Sequence, residues 1–265
     1  MDVAHLQRSF VKIGARVKLV PMRAREKGMP IIVDVRHERK DEFFELRVRD
    51  DAKVFAVDTR ADLRHLLLHA PRGPGESALK LLCGHDERHW FVAGIPGDRG
   101  VSNVITAMEA LKPAMVRDAQ DRARLDRHER LSRHNNAFKR QGEWFFVPQH
   151  VTVDPLSVRR NELLRRSWQS KPHIAEFAYR AGGESVMVSY RFPAGLLIDE
   201  YRQRLAERPS LANDRWWHSR RNPQLFVRGT IRHADHATIT LDGWHRVLMN
   251  EEGRAPTGSA IAFLD

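Results

Sequence analysis

The chain has 265 residues, of which 42% are hydrophobic and 30% charged, with a formal net charge of +11. This composition excludes general disorder, and the length suits one large domain or two small ones. A single cysteine, Cys83, excludes a disulfide framework and a multi-thiolate zinc finger. No apolar run approaches the roughly 20 residues of a membrane span, and the first residues lack a signal-peptide pattern. We therefore expect a cytoplasmic protein without a membrane partner.

The first 97 residues predict mainly β-structure, because short runs of β-branched and aromatic residues alternate with turn residues. One short helix is expected up to His69, capped by Thr59 or Asp62. The predicted strands are Phe10–Val20, Pro30–Arg36, Phe43–Val48, Lys53–Val57, Leu79–Cys83 and His89–Ile95. The prediction for residues 1–97 is a β-rich α+β half.

Residues 98–140 predict a charged helical segment. Asn103 lies where a helix cap belongs, and Pro113 interrupts the helix. From Ala114 to Arg133 charged residues dominate, so a helix there buries only a thin apolar stripe. We interpret the segment as an exposed arm, a spacer between two halves or a nucleic-acid contact.

Residues 141–265 predict a mixed α+β half. Glu143–Val147 is expected to be a strand, and three helices are expected at Val158–Trp168, His173–Tyr179 and Leu197–Leu205. The clearest pattern is a three-stranded antiparallel meander of Leu225–Arg232, Ala237–Leu241 and Trp244–Met249, with Asp242-Gly243 as a hairpin turn. The predicted fold class is α+β, with the two halves joined by the charged helical segment.

Histidines with acidic neighbours lie at predicted turns, and imidazole and carboxylate are the ligands of hydrolytic metal sites. The candidate ligands are His233, Asp235, His236 and His245. The turn His85-Asp86-Glu87-Arg88-His89 joins them only if the N-terminal hairpin packs against the C-terminal meander. The alternative is that these polar residues simply mark exposed turns. A divalent metal is the one cofactor that the sequence indicates.

Basic and aromatic residues recur together, a pattern typical of proteins that contact phosphates and stack bases. The charge favours a nucleic-acid partner, although genome composition also enriches Arg over Lys. The candidate nucleic-acid-binding residues are Arg122, Arg124, Arg127, Arg130, Arg140, Trp216, Arg220 and Arg221. DNA and RNA are not distinguished.

Cys83 and His85 lie two residues apart on one predicted strand, where a thiolate and an imidazole would share a face. The alternative for Cys83 is a small core residue. Three functions remain open. The first is nucleic-acid binding through phosphate contacts, in a larger DNA- or RNA-processing complex. The others are a metal-dependent hydrolase or nuclease, and a protein-interaction subunit without catalysis.

Overall fold

A computed structural model describes residues 3–26, 28–39, 41–73, 75–97, 99–167 and 170–252, with the side chain of Val3 left out. The described chain is α+β and rich in strands, as its sequence predicts. Its helices are α1 (Val3–Lys12), α2 (Val104–Ala110), α3 (Ala114–Arg122), α4 (Arg127–Leu131) and α5 (Ile198–Glu207). Among the described residues, no helix combines the length and apolarity needed to cross a bilayer.

Two sheets form the N-terminal half. A three-stranded sheet has the order β1-β3-β2, with β1 parallel to β3, and a four-stranded antiparallel sheet has the order β4-β5-β6-β7. Their strands are β1 (Val17–Leu19), β2 (Ile31–Glu38), β3 (Asp41–Val48), β4 (Phe55–Arg60), β5 (His65–Ala70), β6 (Leu79–Asp86) and β7 (His89–Gly94). One core cluster joins both sheets to α1, and another packs the opposite face of the four-stranded sheet on α2.

Two further sheets form the C-terminal half. A six-stranded antiparallel sheet has the order β10-β11-β15-β16-β9-β8, and a three-stranded sheet has the order β13-β12-β14. Their strands are β8 (Lys139–Gln141), β9 (Trp144–Pro148), β10 (Arg159–Leu164), β11 (His173–Ala181), β12 (Glu184–Val188), β13 (Leu196–Leu197), β14 (Trp217–Arg221), β15 (Gln224–Arg232) and β16 (Ile239–Met249). The small sheet is therefore inserted between β11 and β15.

Two predictions in the N-terminal half are wrong. Residues 10–12 belong to α1 rather than to a strand, because Leu6, Phe10 and Ile13 share one helical face and are buried. The expected helix before His69 is instead β5. Leu66 and Leu68 pack in one core cluster and Leu67 in the other, so a continuous apolar run here marks a strand covered on both faces.

Further corrections concern the middle and the C-terminal half. The single helix expected from Ala114 to Arg133 is two helices, separated by a turn in which Arg124 has φ +52°. The helices expected at 158–168 and 173–179 are β10 and β11, paired with each other, whereas Trp168 lies outside the described residues. Their strand character follows from the pairing of β11 with a neighbouring strand on each side.

The predicted meander at 225–249 contains two strands rather than three. Asp242-Gly243 lies inside β16, because the pairing with β15 skips from Leu241 to His245 across a bulge. The Asp-Gly pair therefore widens a continuous strand instead of reversing it. The helical segment from Asn103 begins as expected, with the Asn103 side chain accepting a hydrogen bond from the Thr106 amide. The division at residues 97 and 140 stays a prediction.

Candidate metal centre

The β15–β16 turn brings two predicted ligands together with one histidine that the sequence did not predict. His233 and His236 lie between these strands, and His173 begins the adjacent strand β11, where Ile174 pairs with Arg232. One ligand atom from each of the three histidines lies within 4.8 Å of the other two. We call His173, His233 and His236 the histidine cluster.

The rings of the histidine cluster approach one another nearly face to face. Ring centroids are 4.2 Å apart for His173 and His233, 4.6 Å for His233 and His236, and 5.5 Å for His173 and His236. His173 is fully buried, and the edge of Trp144 flanks it at 6.3 Å. The cluster therefore lies at a mostly enclosed end of the six-stranded sheet.

Gly142, in the turn between β8 and β9, gives the nitrogens their space. A Cβ atom at this position would lie 3.0 Å from Nε2 of His236 and 3.4 Å from Nε2 of His173. The edges of both rings thus point at the same volume beside the glycine backbone. The left-handed φ of +56° also suits glycine at this position.

A carboxylate from the N-terminal half orients one member of the cluster. Nδ1 of His236 donates to Oε2 of Glu87 at 2.8 Å, which leaves the Nε2 lone pair directed toward Gly142. Such a carboxylate partner fixes the tautomer and ring orientation of metal-binding histidines. The Glu87 carboxylate is itself paired with Arg133, and hydrogen bonding to His236 holds the pKa of Glu87 below its ordinary value against the opposing effect of burial.

The two remaining predicted ligands point elsewhere. Asp235 binds Nζ of Lys171 at 2.5 Å, and its amide donates to Nδ1 of His233 at 3.1 Å. His245, on β16, is buried and donates from Nδ1 to the carbonyl of Gly243. Burial lowers the pKa of His245, so its ring is a neutral part of the sheet packing.

The N-terminal hairpin does meet the C-terminal half, though through a different residue than expected. His89 binds Glu42 at 2.5 Å, and Asp86 pairs with Arg133 and Arg140. Glu87, in the tight turn between β6 and β7, is the residue that reaches the histidine cluster. No short-range spacing links residues 87, 173 and 233, so the sequence alone does not identify Glu87 or His173 as part of this site.

The predicted nucleic-acid contacts are divided between surface and interior. Arg122, Arg124 and Arg127 are exposed at the α3–α4 turn. Arg130 instead pairs with Asp121 and Glu109, and Arg140 turns inward to Asp86.

The predicted contacts of the small sheet are also mixed. Arg220 is exposed and bonds the Gly182 carbonyl at 3.2 Å, while Arg221 pairs with Glu184 at 2.8 Å. Trp216 stacks on Phe192 at 5.6 Å and donates from Nε1 to the Leu211 carbonyl, so its ring is used in packing.

An aromatic pair beside Trp216 is more open than Trp216 itself. Tyr190 is 85% exposed and Trp217 is 43% exposed, with ring centroids 5.8 Å apart in an edge-to-face arrangement. Cys83, by contrast, is fully buried in the N-terminal core, and burial raises the pKa of its thiol. Nucleophilic chemistry by Cys83 is incompatible with that environment.

Comparison with protein-family models, curated proteins and solved structures found no match for this chain. The site is therefore interpreted from its own geometry.

Proposed function

We propose that this protein is a metal-dependent hydrolase whose divalent ion is held by His173, His233 and His236. The observation that carries the proposal is the convergence of three imidazoles from two segments of the chain, with their ligand atoms within 4.8 Å. Three histidines are a ligand set of catalytic zinc sites, in which a fourth position remains for water. Phosphodiesters of nucleic acid are the substrate class that the net charge of +11 favours.

The described nitrogens need a small contraction to hold an ion. Zinc–nitrogen bonds of about 2.0–2.1 Å place tetrahedral ligand atoms about 3.3 Å apart. Rotation of the stacked rings about their Cβ–Cγ bonds supplies that movement. Ligation by His233 through Nε2 also requires Nδ1 to carry the proton, so the bond from the Asp235 amide is given up.

Each group of the chain has a separate role in the proposed reaction. A bound metal would lower the pKa of its water and polarise the scissile group. Glu87 keeps His236 in the tautomer that presents Nε2. Trp144 shields His173, and Gly142 leaves open the side from which a substrate oxygen approaches.

Elemental analysis of the purified protein, dialysed after loading with one equivalent of zinc, tests this function. We expect about one ion per chain, and loss of both the ion and nuclease activity on DNA or RNA in His236→Ala. His245→Asn is the matched control, because His245 comes from the same sequence region but lies outside the cluster. Equal metal content in wild type and His236→Ala contradicts the proposal.

Nucleic-acid binding through an exposed arginine surface is the second proposed function. Its support is that Arg122, Arg124 and Arg127 are exposed and make no hydrogen bond or ion pair within the described part of the chain. Unpaired guanidinium groups are available for phosphate oxygens. Assembly into a larger processing complex and a cytoplasmic location belong to the same proposal, the latter supported by the one unpaired, buried cysteine.

Salt-dependent binding to duplex DNA tests the arginine surface. Replacing Arg122, Arg124 and Arg127 by Glu should reduce the slope of log affinity against log salt by about 2.7, or about 0.9 for each phosphate that is no longer neutralised. The matched control replaces Arg202, Arg204 and Arg208, which are exposed around α5. The same slope in both triple variants would exclude the α3–α4 turn as the binding surface, and no binding at low salt would exclude the function.

A further inference from the structure

A pocket separate from the space beside Gly142 lies between the two halves of the chain. It encloses about 500 Å³ of empty volume, counted to its opening, where β5–β7 and α2 face α4, β8 and β9. This volume falls in the range of small-molecule sites, roughly 300–1,000 Å³. The pocket is thus large enough for a ring-containing ligand.

One part of the pocket wall is aromatic and apolar. Leu82 and Phe91 line it from the N-terminal half, and Phe138 and Phe145 from the C-terminal half. The last two rings meet edge to face, with centroids 5.3 Å apart. A flat apolar body gains contact area against such a wall.

The polar part of the wall carries charge of one sign. Lys112, Arg130, Arg133 and Arg140 line the pocket, and no carboxylate does among the described residues. Their counter-charges lie behind the wall and comprise Asp86, Glu87, Glu109 and Asp121. A ligand that enters therefore meets four cations before it meets an anion.

The arginines keep donors in reserve. Arg140 donates from Nε to the Gly142 carbonyl at 2.8 Å and from Nη2 to Asp86 at 3.1 Å, while Nη1 makes no hydrogen bond to a described residue. Arg133 uses Nη1 and Nη2 on Glu87 and Asp86, and its Nε makes no hydrogen bond there. Burial lowers the pKa of Arg140 and of Lys112, which shows that both cations are poorly solvated. An anion in the pocket would compensate that loss of solvation.

We infer that this pocket binds a small aromatic phosphate monoester, with the phosphate facing Arg133 and Arg140 and the ring against Phe138 and Phe145. Guanidinium groups match phosphate oxygens with paired donors, and the apolar wall accounts for the ring. The inference does not depend on the histidine cluster holding a metal. A metal-free protein should bind the ligand equally.

Phenyl phosphate is the probe, with inorganic phosphate, benzoate and phenol as comparisons, each titrated by calorimetry into metal-free wild-type protein. We expect saturable binding of one phenyl phosphate per chain, at least tenfold tighter than inorganic phosphate or phenol. Benzoate distinguishes phosphate from carboxylate recognition, and binding as tight as that of phenyl phosphate overturns the phosphate assignment. Adenosine and cytidine monophosphates then test whether the ring can be a nucleoside.

Two variants place the ligand in this pocket without removing a buried ion pair. Met108→Trp should fill the partly exposed apolar side of the pocket, and Ser132→Glu should add negative charge at its rim. Each should weaken phenyl phosphate binding at least tenfold, whereas Arg202→Glu on α5 should leave it unchanged. Absence of phenyl phosphate binding in wild type, or equal binding in all three variants, overturns the inference.

Discussion

His65 and the histidine cluster are two buried histidine environments that the same structure uses differently. Each lies against a glycine, Gly84 for His65 and Gly142 for the cluster. A Cβ on Gly84 would lie 2.5 Å from Cδ2 of His65, so the ring itself fills the space over that glycine. At Gly142 the ring nitrogens of two histidines instead border the space. A filled glycine position indicates packing, and one bordered by nitrogens indicates ligation.

The hydrogen bonds separate the two environments in the same way. His65 has Nδ1 against the Leu63 carbonyl at 2.5 Å and its ring against Phe91, with centroids 5.3 Å apart. It is a single ring, bonded within its own strand entry. His236 is held by Glu87, a residue 149 positions away, and two further imidazoles adjoin it. Long-range convergence of several nitrogens is therefore the feature that marks a site.

The largest effect expected from this contrast concerns pH and His65. Burial lowers the pKa of His65 to about 4, whereas an unfolded histidine titrates near its ordinary value of 6.5. The unfolded chain thus binds one more proton between these values, and about 3 kcal/mol of unfolding free energy is lost as the pH falls from 6.5 to 4. Urea unfolding at several pH values should show this loss in wild type, with less of it in His65→Asn.

The control for that series is His128→Asn, on the exposed surface of α4. It should retain the full wild-type pH dependence. A His65→Asn protein with the same pH dependence as wild type would show that His65 is protonated in the folded state.

A smaller effect is expected from adding one methyl group at each glycine. Gly84→Ala should cost about 2 kcal/mol of unfolding free energy, because its Cβ overlaps the His65 ring. Gly142→Ala should cost about 1 kcal/mol for its left-handed backbone, while zinc binding falls because the methyl crowds Nε2 of His236. Urea titrations and zinc titrations of both variants measure the two effects. Loss of zinc in Gly84→Ala and not in Gly142→Ala would reverse the comparison.

The smallest expected effect concerns Glu87. Glu87→Gln keeps a hydrogen-bond acceptor for His236 but removes the negative charge, so zinc affinity should fall about tenfold, or about 1.4 kcal/mol. Competition with a chromogenic chelator measures this change. Asp235→Asn serves as the control, since Asp235 faces Lys171 rather than a ring nitrogen of His236. A larger loss in the control would place the supporting carboxylate at Asp235.

The fold class could be predicted from composition and local patterns, but several elements could not. Asn103 identifies a helix start because its cap is formed by residues three positions apart. The run Leu66-Leu67-Leu68 is ambiguous by itself, and only the sheets and helix on its two sides make it a strand. Asp242-Gly243 has the composition of a hairpin turn, yet long-range pairing of β16 with β9 and β15 overrides it.

About half of the candidate site could be predicted. His233 and His236 share one turn, so their sequence separation alone indicates a pair. His173 and Glu87 enter only through the pairing of β11 with β15 and through contact between the two halves. No local pattern encodes such contacts. Gly142 has the same limitation, because its open side is defined by rings distant in sequence.

X-ray absorption at the zinc edge tests the metal centre most directly. The protein is loaded with one equivalent of zinc, and the nearest atoms around the ion are counted. We predict three imidazole nitrogens at about 2.0–2.1 Å and one oxygen ligand, with one imidazole fewer in His173→Ala. A shell of oxygens alone, or an unchanged imidazole count in His173→Ala, would contradict the assignment of the histidine cluster as a metal centre.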